Sequence, residues 1–96
     1  MKIGQSIKYF RKEISQKTQK DFCKTMGISQ TYLSQVEAGK KNPSDKLIKR
    51  IADKLNVPVP LLYLHCLEEK DVLEHKRPIW KLVVPVIDKF IKILYT

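Results

Sequence analysis

Residues 19–39 decide the fold, and they read QKDFCKTMGISQTYLSQVEAG. Apolar side chains recur at helical spacing on both sides of Gly27. Gly27 suits a helix end because glycine adopts positive φ at little cost. Thr18 and Ser29 are good N-cap residues for the helices before and after it, and Gly39 marks the end of the second. The stretch therefore predicts two short helices joined by a tight turn.

The second of these helices has an apolar inner face and a polar outer face. Its inner side carries Tyr32, Leu33 and Val36. Its outer side carries short side chains that both donate and accept hydrogen bonds, namely Gln30, Thr31, Ser34 and Gln35.

This pattern resembles the helix-turn-helix of the Cro and phage-repressor type, the XRE family of bacterial and phage regulators. The resemblance covers about residues 1–69. It implies an all-α fold, with a five-helix lambda-repressor-like DNA-binding domain over residues 1–69 and a C-terminal helical extension over residues 70–96. It also implies that the helix at residues 29–38 lies in the major groove. A plain pair of core helices is the alternative.

The resemblance and the positions of the side chains assign contacts with DNA. Base contacts are expected from Gln30, Thr31, Ser34 and Gln35. Phosphate contacts are expected from Lys17, Gln19, Ser29, Tyr32, Lys40, Lys41 and Asn42. In the family, the arginine that matches Arg11 pairs with the glutamate that matches Glu37. From Arg11 to Gln19 this chain is one residue longer than the commonest family pattern, and it lacks the usual glycine there, so the geometry of this loop stays open.

The excess of positive charge is concentrated in residues 1–54. The chain has 19 basic and 10 acidic side chains, a net charge of +9. Residues 1–54 carry 13 of the basic and 5 of the acidic side chains. A surface of this kind favours a polyanion such as DNA. A solvated basic face without a ligand is the alternative.

Three further helices are predicted around this pair. Apolar steps of four, three and four residues indicate a first helix. Ser44 is a cap for a fourth helix that stops at Asn56, and Pro60 fits the first turn of a fifth. The apolar positions are Ile3, Ile7, Phe10 and Ile14 in the first helix; Leu47, Ile48, Ile51, Ala52 and Leu55 in the fourth; and Leu61, Leu62, Leu64 and Leu67 in the fifth.

Several classes of function find no support in the sequence. There is no glycine-rich phosphate loop, no paired-carboxylate site and no nucleophile with a base, so we expect no enzyme and no cofactor. Cys66 follows His65, and one His–Cys pair provides too few ligands for a structural zinc site, so we expect no metal. Cys23 is interpreted as a small buried hydrophobic residue. No apolar run follows Met1, and residues 78–95 are too short and too charged to span a membrane. A cytoplasmic location is expected.

The apolar tail is the least expected segment. Pro85 allows either one bent helix or a break over residues 78–95. Its broad apolar face must pack on its own domain, on a second copy or on another protein. Trp80, Val84, Ile87 and Ile91 recur at steps of four, three and four, and together with Phe90 they are predicted as a dimer or partner surface.

The sequence as a whole predicts a sequence-specific regulator of transcription. We expect a dimeric repressor that binds double-stranded DNA, with no membrane contact. The alternative is an antitoxin or adaptor module whose C-terminal segment binds a partner protein.

Overall fold

The computed structural model describes residues 2–95, and the regular elements in that range are all helical. The first helix, α1, spans Ile3–Tyr9 and continues as a π-helical turn over Phe10–Ile14. Two short 3-10 turns, Glu69–Asp71 and Glu74–Lys76, precede the last helix. The other helices are α2 (Gln19–Met26), α3 (Gln30–Glu37), α4 (Asp45–Leu55), α5 (Val59–His65) and α6 (Arg77–Tyr95). The all-α fold with a C-terminal helix after the first five is confirmed, and the predicted boundary after residue 69 falls in the first 3-10 turn.

Local sequence sets the helix ends. The N-termini of α2, α3 and α4 are each capped by a hydroxyl that accepts a hydrogen bond from the backbone N–H three residues on. The capping residues are Thr18, Ser29 and Ser44, at 3.1, 3.0 and 3.1 Å. At their C-termini, α2 and α4 stop at Gly27 and Asn56, which adopt left-handed conformations with φ of 69° and 58°.

The π-helical turn at the end of α1 takes up the additional residue between Arg11 and Gln19. The backbone N–H of Ser15 donates to the carbonyl of Phe10, five residues earlier, at 2.9 Å. Gln16 then redirects the chain with a φ of 53°. Single π turns of this kind are found inside otherwise regular helices. The extra residue therefore lies within the first helix, while Arg11 stays turned towards the core.

Gly4 lets α1 approach α3 closely. A Cβ atom added at Gly4 would lie 1.9 Å from the carbonyl oxygen of Val36. No side chain fits at that distance, so the glycine lets the backbone of α1 lie directly on the end of α3. This contact places the second helix of the helix-turn-helix pair relative to the first helix of the domain.

One hydrophobic core joins the helices, and α6 is part of it. Eight apolar side chains in it are essentially without solvent exposure: Ile7, Phe10, Phe22, Leu33, Val36, Ile51, Leu62 and Ile91. Ile91 comes from α6, and its side chain is 2% exposed. Burial of each such side chain contributes about 1.5–3 kcal/mol. The C-terminal helix is therefore held to the domain by the same packing that holds α1 to α5.

Between residues 77 and 95 the chain forms a single helix, with Pro85 inside it. The helix is anchored at its start because Arg77 Nε donates to the carbonyls of Glu69 and Val72, at 3.1 and 3.2 Å. Near its end the ring of Tyr95 lies 5.9 Å from the ring of Phe10, edge to face. The missing N–H of Pro85 does not break the helix.

The residues of α6 predicted as a dimer or partner surface differ in their surroundings. Trp80, Val84 and Ile87 are partly exposed and line a narrow cleft with Leu64 and His65 of α5, and Ile91 is buried in the core. These four residues, here called the seam of α6, lie on the side of the helix that packs on its own domain. Of the five residues predicted to contact a dimer or protein partner, Phe90 is the one that is open to solvent, at 58% exposure.

Among residues 2–95, every helix is too short or too polar to span a lipid bilayer. The same stretch contains no group of three or more His, Cys, Asp or Glu side chains placed to hold a metal ion.

Candidate nucleic-acid interface

The outer face of α3 forms the wall of a shallow surface depression. The depression is lined by Gln19, at the start of α2, and by Gln30, Thr31, Ser34 and Gln35. Gln30, Thr31 and Ser34 are exposed, and the two other residues are partly exposed. The structure thus brings the four predicted base-contacting residues together with one predicted phosphate-contacting residue. Amides and hydroxyls make up the whole lining, which suits hydrogen bonding to base edges.

Behind this surface, Arg11 and Glu37 form a buried bidentate ion pair. Arg11 Nε donates to Glu37 Oε2 at 2.7 Å, and Nη2 donates to Oε1 at 3.0 Å. The two side chains are only 6% and 3% exposed. Paired N–H···O bonds between charged groups are among the strongest in proteins and fix orientation as well as distance. The pair holds the last turn of α3 against the end of α1.

The amide of Gln19 extends this network to the surface. Gln19 Nε2 donates to Glu37 Oε1 at 2.9 Å. A side-chain amide has two N–H groups, so one remains for a phosphate oxygen. Sequence reasoning assigned Gln19 to phosphate but did not foresee its bond to Glu37. That bond positions the amide at the edge of the α3 surface.

The loop before α2 is tied to the same arginine. Arg11 Nη1 donates to the backbone carbonyl of Lys17 at 2.6 Å. The Lys17 side chain is exposed, and it borders a second depression together with Lys8 and Lys12. Lys8 and Lys12 are not among the phosphate contacts expected from the sequence. The structure sets these three lysines around a depression that Arg11 of the buried pair also lines.

The basic loop after α3 is exposed and attached to that helix. Lys40, Lys41 and Asn42 are all exposed. The backbone N–H groups of Lys40 and Lys41 donate to the carbonyl of Gln35, at 2.9 and 3.3 Å. Gly39, with φ of 79°, makes the turn that allows this. The loop therefore continues the α3 surface with two positive charges.

Two predicted phosphate contacts have structural partners within the chain. The Ser29 hydroxyl accepts from the backbone N–H of Tyr32, as the cap of α3. Its own proton stays available for a phosphate oxygen. Tyr32 is partly buried and packs against the core. Both residues lie at the first turn of α3, where the helix N-terminus attracts negative charge.

Cys23 fixes the turn between α2 and α3 from the inside. Its thiol Sγ donates to the carbonyl of Ser29 at 3.5 Å. Burial, and next the negative charge of Glu37, raise the pKa of the Cys23 thiol. A buried thiol that stays protonated packs as a small apolar side chain, in agreement with the sequence interpretation.

These features define a class of protein. A capped polar helix, presented by a second helix through a glycine turn and flanked by basic loops, is a helix-turn-helix DNA-binding domain. The chain belongs to the XRE type of this family. The family's model, described as helix-turn-helix, matches residues 7–62.

Two curated proteins are similar to this chain. The ImmF control region 10 kDa protein of Bacillus phage phi105 is 43% identical over 61 residues, which is 64% of this chain and 67% of the phage protein. The uncharacterized HTH-type transcriptional regulator YazB of Bacillus subtilis (strain 168) is 41% identical over 54 residues, 56% of this chain and 77% of that protein. No solved structure gives a significant match.

Proposed function

We propose that this protein is a transcriptional repressor that binds a specific operator in double-stranded DNA as a homodimer. The observation that carries the proposal is the outer face of α3, which displays four hydrogen-bonding side chains on a helix held by a buried ion pair. The relatives support the regulatory role, since one is named as part of a phage control region and the other as a transcriptional regulator. A cytoplasmic location is part of the proposal.

Base readout follows from the chemistry of α3. An amide such as Gln30 or Gln35 can bind adenine N6 and N7 with two hydrogen bonds, and the methyl group of Thr31 can contact a thymine methyl. The Arg11–Glu37 pair restrains rotation of α3 about its axis. The outer side chains of α3 therefore enter the major groove in one fixed position relative to the base pairs. A rigid reading helix loses less entropy on binding.

Affinity for the backbone follows from the charges around α3. Lys40 and Lys41 follow its C-terminal end, and Lys17 lies in the loop before α2, where its backbone carbonyl accepts from Arg11. Each phosphate neutralised by such a side chain releases condensed counterions, so binding weakens as salt rises. These contacts act on any DNA sequence and set the register in which α3 reads the bases.

A dimer is proposed because a single domain makes few contacts with the phosphates and bases of DNA. Two copies on a two-fold symmetric operator place their reading helices about 34–36 Å apart, and the second copy binds at high effective concentration. A protein held over a promoter in this way excludes other proteins from the same DNA, which is repression.

Selection of bound sequences from random DNA tests the proposal. A symmetric consensus with two half-sites is expected. Replacing Gln30 with Ala should then cost about 1–3 kcal/mol at the selected site and relax one base position in each half. Gln5→Ala, which removes an exposed amide from α1, is the matched control and should leave binding unchanged. Equal weakening on the selected site and on random DNA would show that Gln30 does not read bases.

The second candidate function is the antitoxin or adaptor module. It is favoured by the large apolar side chains that α6 leaves exposed. Sedimentation of the purified chain alone separates the two candidates, because the repressor is expected as a dimer and the adaptor as a monomer that associates only with its partner.

A further inference from the structure

The outward face of α6 carries an apolar stripe that nothing in the described chain covers. Its seven residues, here called the outer stripe, are 40–76% exposed: Ile79, Leu82, Val83, Val86, Phe90, Ile93 and Leu94. At 100° per residue they fall within one arc of about 120°. Their exposed area is on the order of several hundred Å². The largest apolar patch of a typical monomer is roughly 300–600 Å².

The spacing within the outer stripe is palindromic about Val86. Ile79, Leu82, Val86, Phe90 and Ile93 follow one another at steps of three, four, four and three residues. Because the spacing of these five positions is the same in both directions, an antiparallel copy places an apolar side chain opposite each of them. A two-fold axis at Val86 then brings Ile79 of one chain to Ile93 of the other, and Leu82 to Phe90. Such a self-complementary patch is what a two-fold interface requires.

We propose that the outer stripe is a homodimer interface, in which two α6 helices pack antiparallel across a two-fold axis at Val86. The proposal rests on the proposed function only for the role of the dimer on DNA. It assigns the contact to the face of α6 that adjoins the seam of Trp80, Val84, Ile87 and Ile91, which packs on the chain's own domain. At 100° per residue the centres of the two faces lie about 110° apart around the helix.

A second copy fits the stripe in size. A standard interface buries about 800 Å² on each partner, and the stripe supplies most of that area with seven apolar side chains. Lys89 lies at the edge of the stripe and is the charged residue of α6 closest to its centre. None of the seven stripe residues is charged, so pairing two copies buries no unpaired charge within the stripe.

The anchoring of α6 gives this dimer a defined shape. Ile91 is buried in the domain core, and Arg77 is bonded to the carbonyls of Glu69 and Val72. The same helix therefore contacts its own domain with one face and the second copy with the adjoining face. The outer stripe contains none of the residues predicted to contact DNA.

Sedimentation of the full chain without DNA is the first test. The wild type should sediment at twice the chain mass of 11.2 kDa. Val86→Asp puts two carboxylates at the axis and should give a monomer with unchanged helical circular dichroism. Leu73→Asp is the matched control, since Leu73 is 68% exposed but lies outside α6, and it should remain a dimer. A monomeric wild type, or a Val86→Asp variant that stays dimeric, would overturn the proposal.

Cross-linking tests the antiparallel arrangement and does not depend on Val86→Asp folding. Cys23 and Cys66 are buried free thiols, and burial raises the pKa of both, so an introduced surface cysteine is the reactive one. With a short thiol–thiol cross-linker, Val86→Cys should give a covalent dimer. Ile79→Cys alone should not, because the two copies of that position lie about 21 Å apart along the helices.

The double variant decides the arrangement. Ile79→Cys combined with Ile93→Cys should cross-link as efficiently as Val86→Cys, since each pair meets across the axis. Efficient cross-linking of Ile79→Cys alone would show a parallel pair and overturn the proposal. All of these measurements are made without DNA, so a failure of operator binding is seen separately from a failure of the interface.

Discussion

Arg11 and Glu37 are joined by two charge-assisted hydrogen bonds inside the protein, and these bonds fix the end of α3 to the π-helical turn that follows α1. Arg11 also holds the loop before α2 through the carbonyl of Lys17, and Glu37 also holds Gln19. A single buried pair therefore connects three segments that border the α3 surface.

Loss of one member of this pair is expected to destabilise the fold strongly. Arg11→Ala leaves the Glu37 carboxylate buried without its counter-charge, which typically costs about 3–5 kcal/mol of unfolding free energy. Urea titration followed by circular dichroism measures this. Lys12→Ala, at the exposed neighbouring position, should change stability by no more than about 0.5 kcal/mol. If the two variants were equally stable, the pair would contribute nothing.

Gly4→Ala should also destabilise the protein, against the usual preference of helices. Alanine is normally better than glycine in a helix by about 1 kcal/mol. Here the added Cβ would lie 1.9 Å from the carbonyl oxygen of Val36, so α1 and α3 must separate. We expect a net loss of about 1–3 kcal/mol, typical of overpacking. Gln5→Ala in the same helix is the control. A Gly4→Ala variant more stable than wild type would refute the close approach.

Lys40→Ala should weaken binding to every DNA sequence and lower the slope of log K against log salt by about 1. The reason is that its exposed ammonium, in the loop attached to α3, is proposed to neutralise one phosphate. Lys54→Ala removes the same charge from the exposed end of α4 and should leave the slope unchanged. Fluorescence anisotropy at several salt concentrations gives both slopes. Identical slopes for the wild type and Lys40→Ala would exclude this lysine from the interface.

We expect the free energy of unfolding to fall as the solution becomes acidic, because of the partly buried ring of His65. Its ring stacks on Tyr9 at 4.3 Å, and its Nδ1 is buried without a hydrogen-bond partner. Burial lowers the pKa of His65, although the carboxylate of Asp88 opposes the shift. The unfolded chain therefore binds this proton more readily. Stability should fall as pH drops below the unfolded value of about 6.5, and be regained as pH rises through it.

Unfolding free energies measured at several pH values between about 7.5 and 5.5 test this. His65→Phe keeps an aromatic ring against Tyr9 and should remove most of the dependence in this window. His75→Phe changes an exposed histidine and should preserve it. A wild type whose stability is constant across the window would contradict the assignment.

The parts of the fold that depend on local sequence could be predicted. Thr18, Ser29 and Ser44 act as caps because a hydroxyl before a helix has few better partners than the free N–H groups beside it. Gly27 and Asn56 stop helices because they tolerate left-handed backbone conformations. Such interactions span only a few residues, so the sequence contains the information directly.

The parts that depend on packing between distant segments could not be predicted. The apolar face of α6 is broad, and its periodicity does not indicate which half of the face packs on the domain. That half is selected by the apolar surface of α5 and α1. Gly4 gives no signal in the sequence, because its role depends on the approach of Val36 from α3. The bond between Gln19 and Glu37 joins residues 18 positions apart and appears only when α2 and α3 are placed together.

The π-helical turn at Phe10–Ile14 has a consequence for how this chain is aligned with its relatives. An alignment that puts the gap in the loop before α2 would treat the extra residue as a surface insertion. The backbone bond from Ser15 to Phe10 places it inside the helix instead. In either placement Arg11 and Glu37 lie outside the shifted segment, so the extra residue leaves their pairing in place.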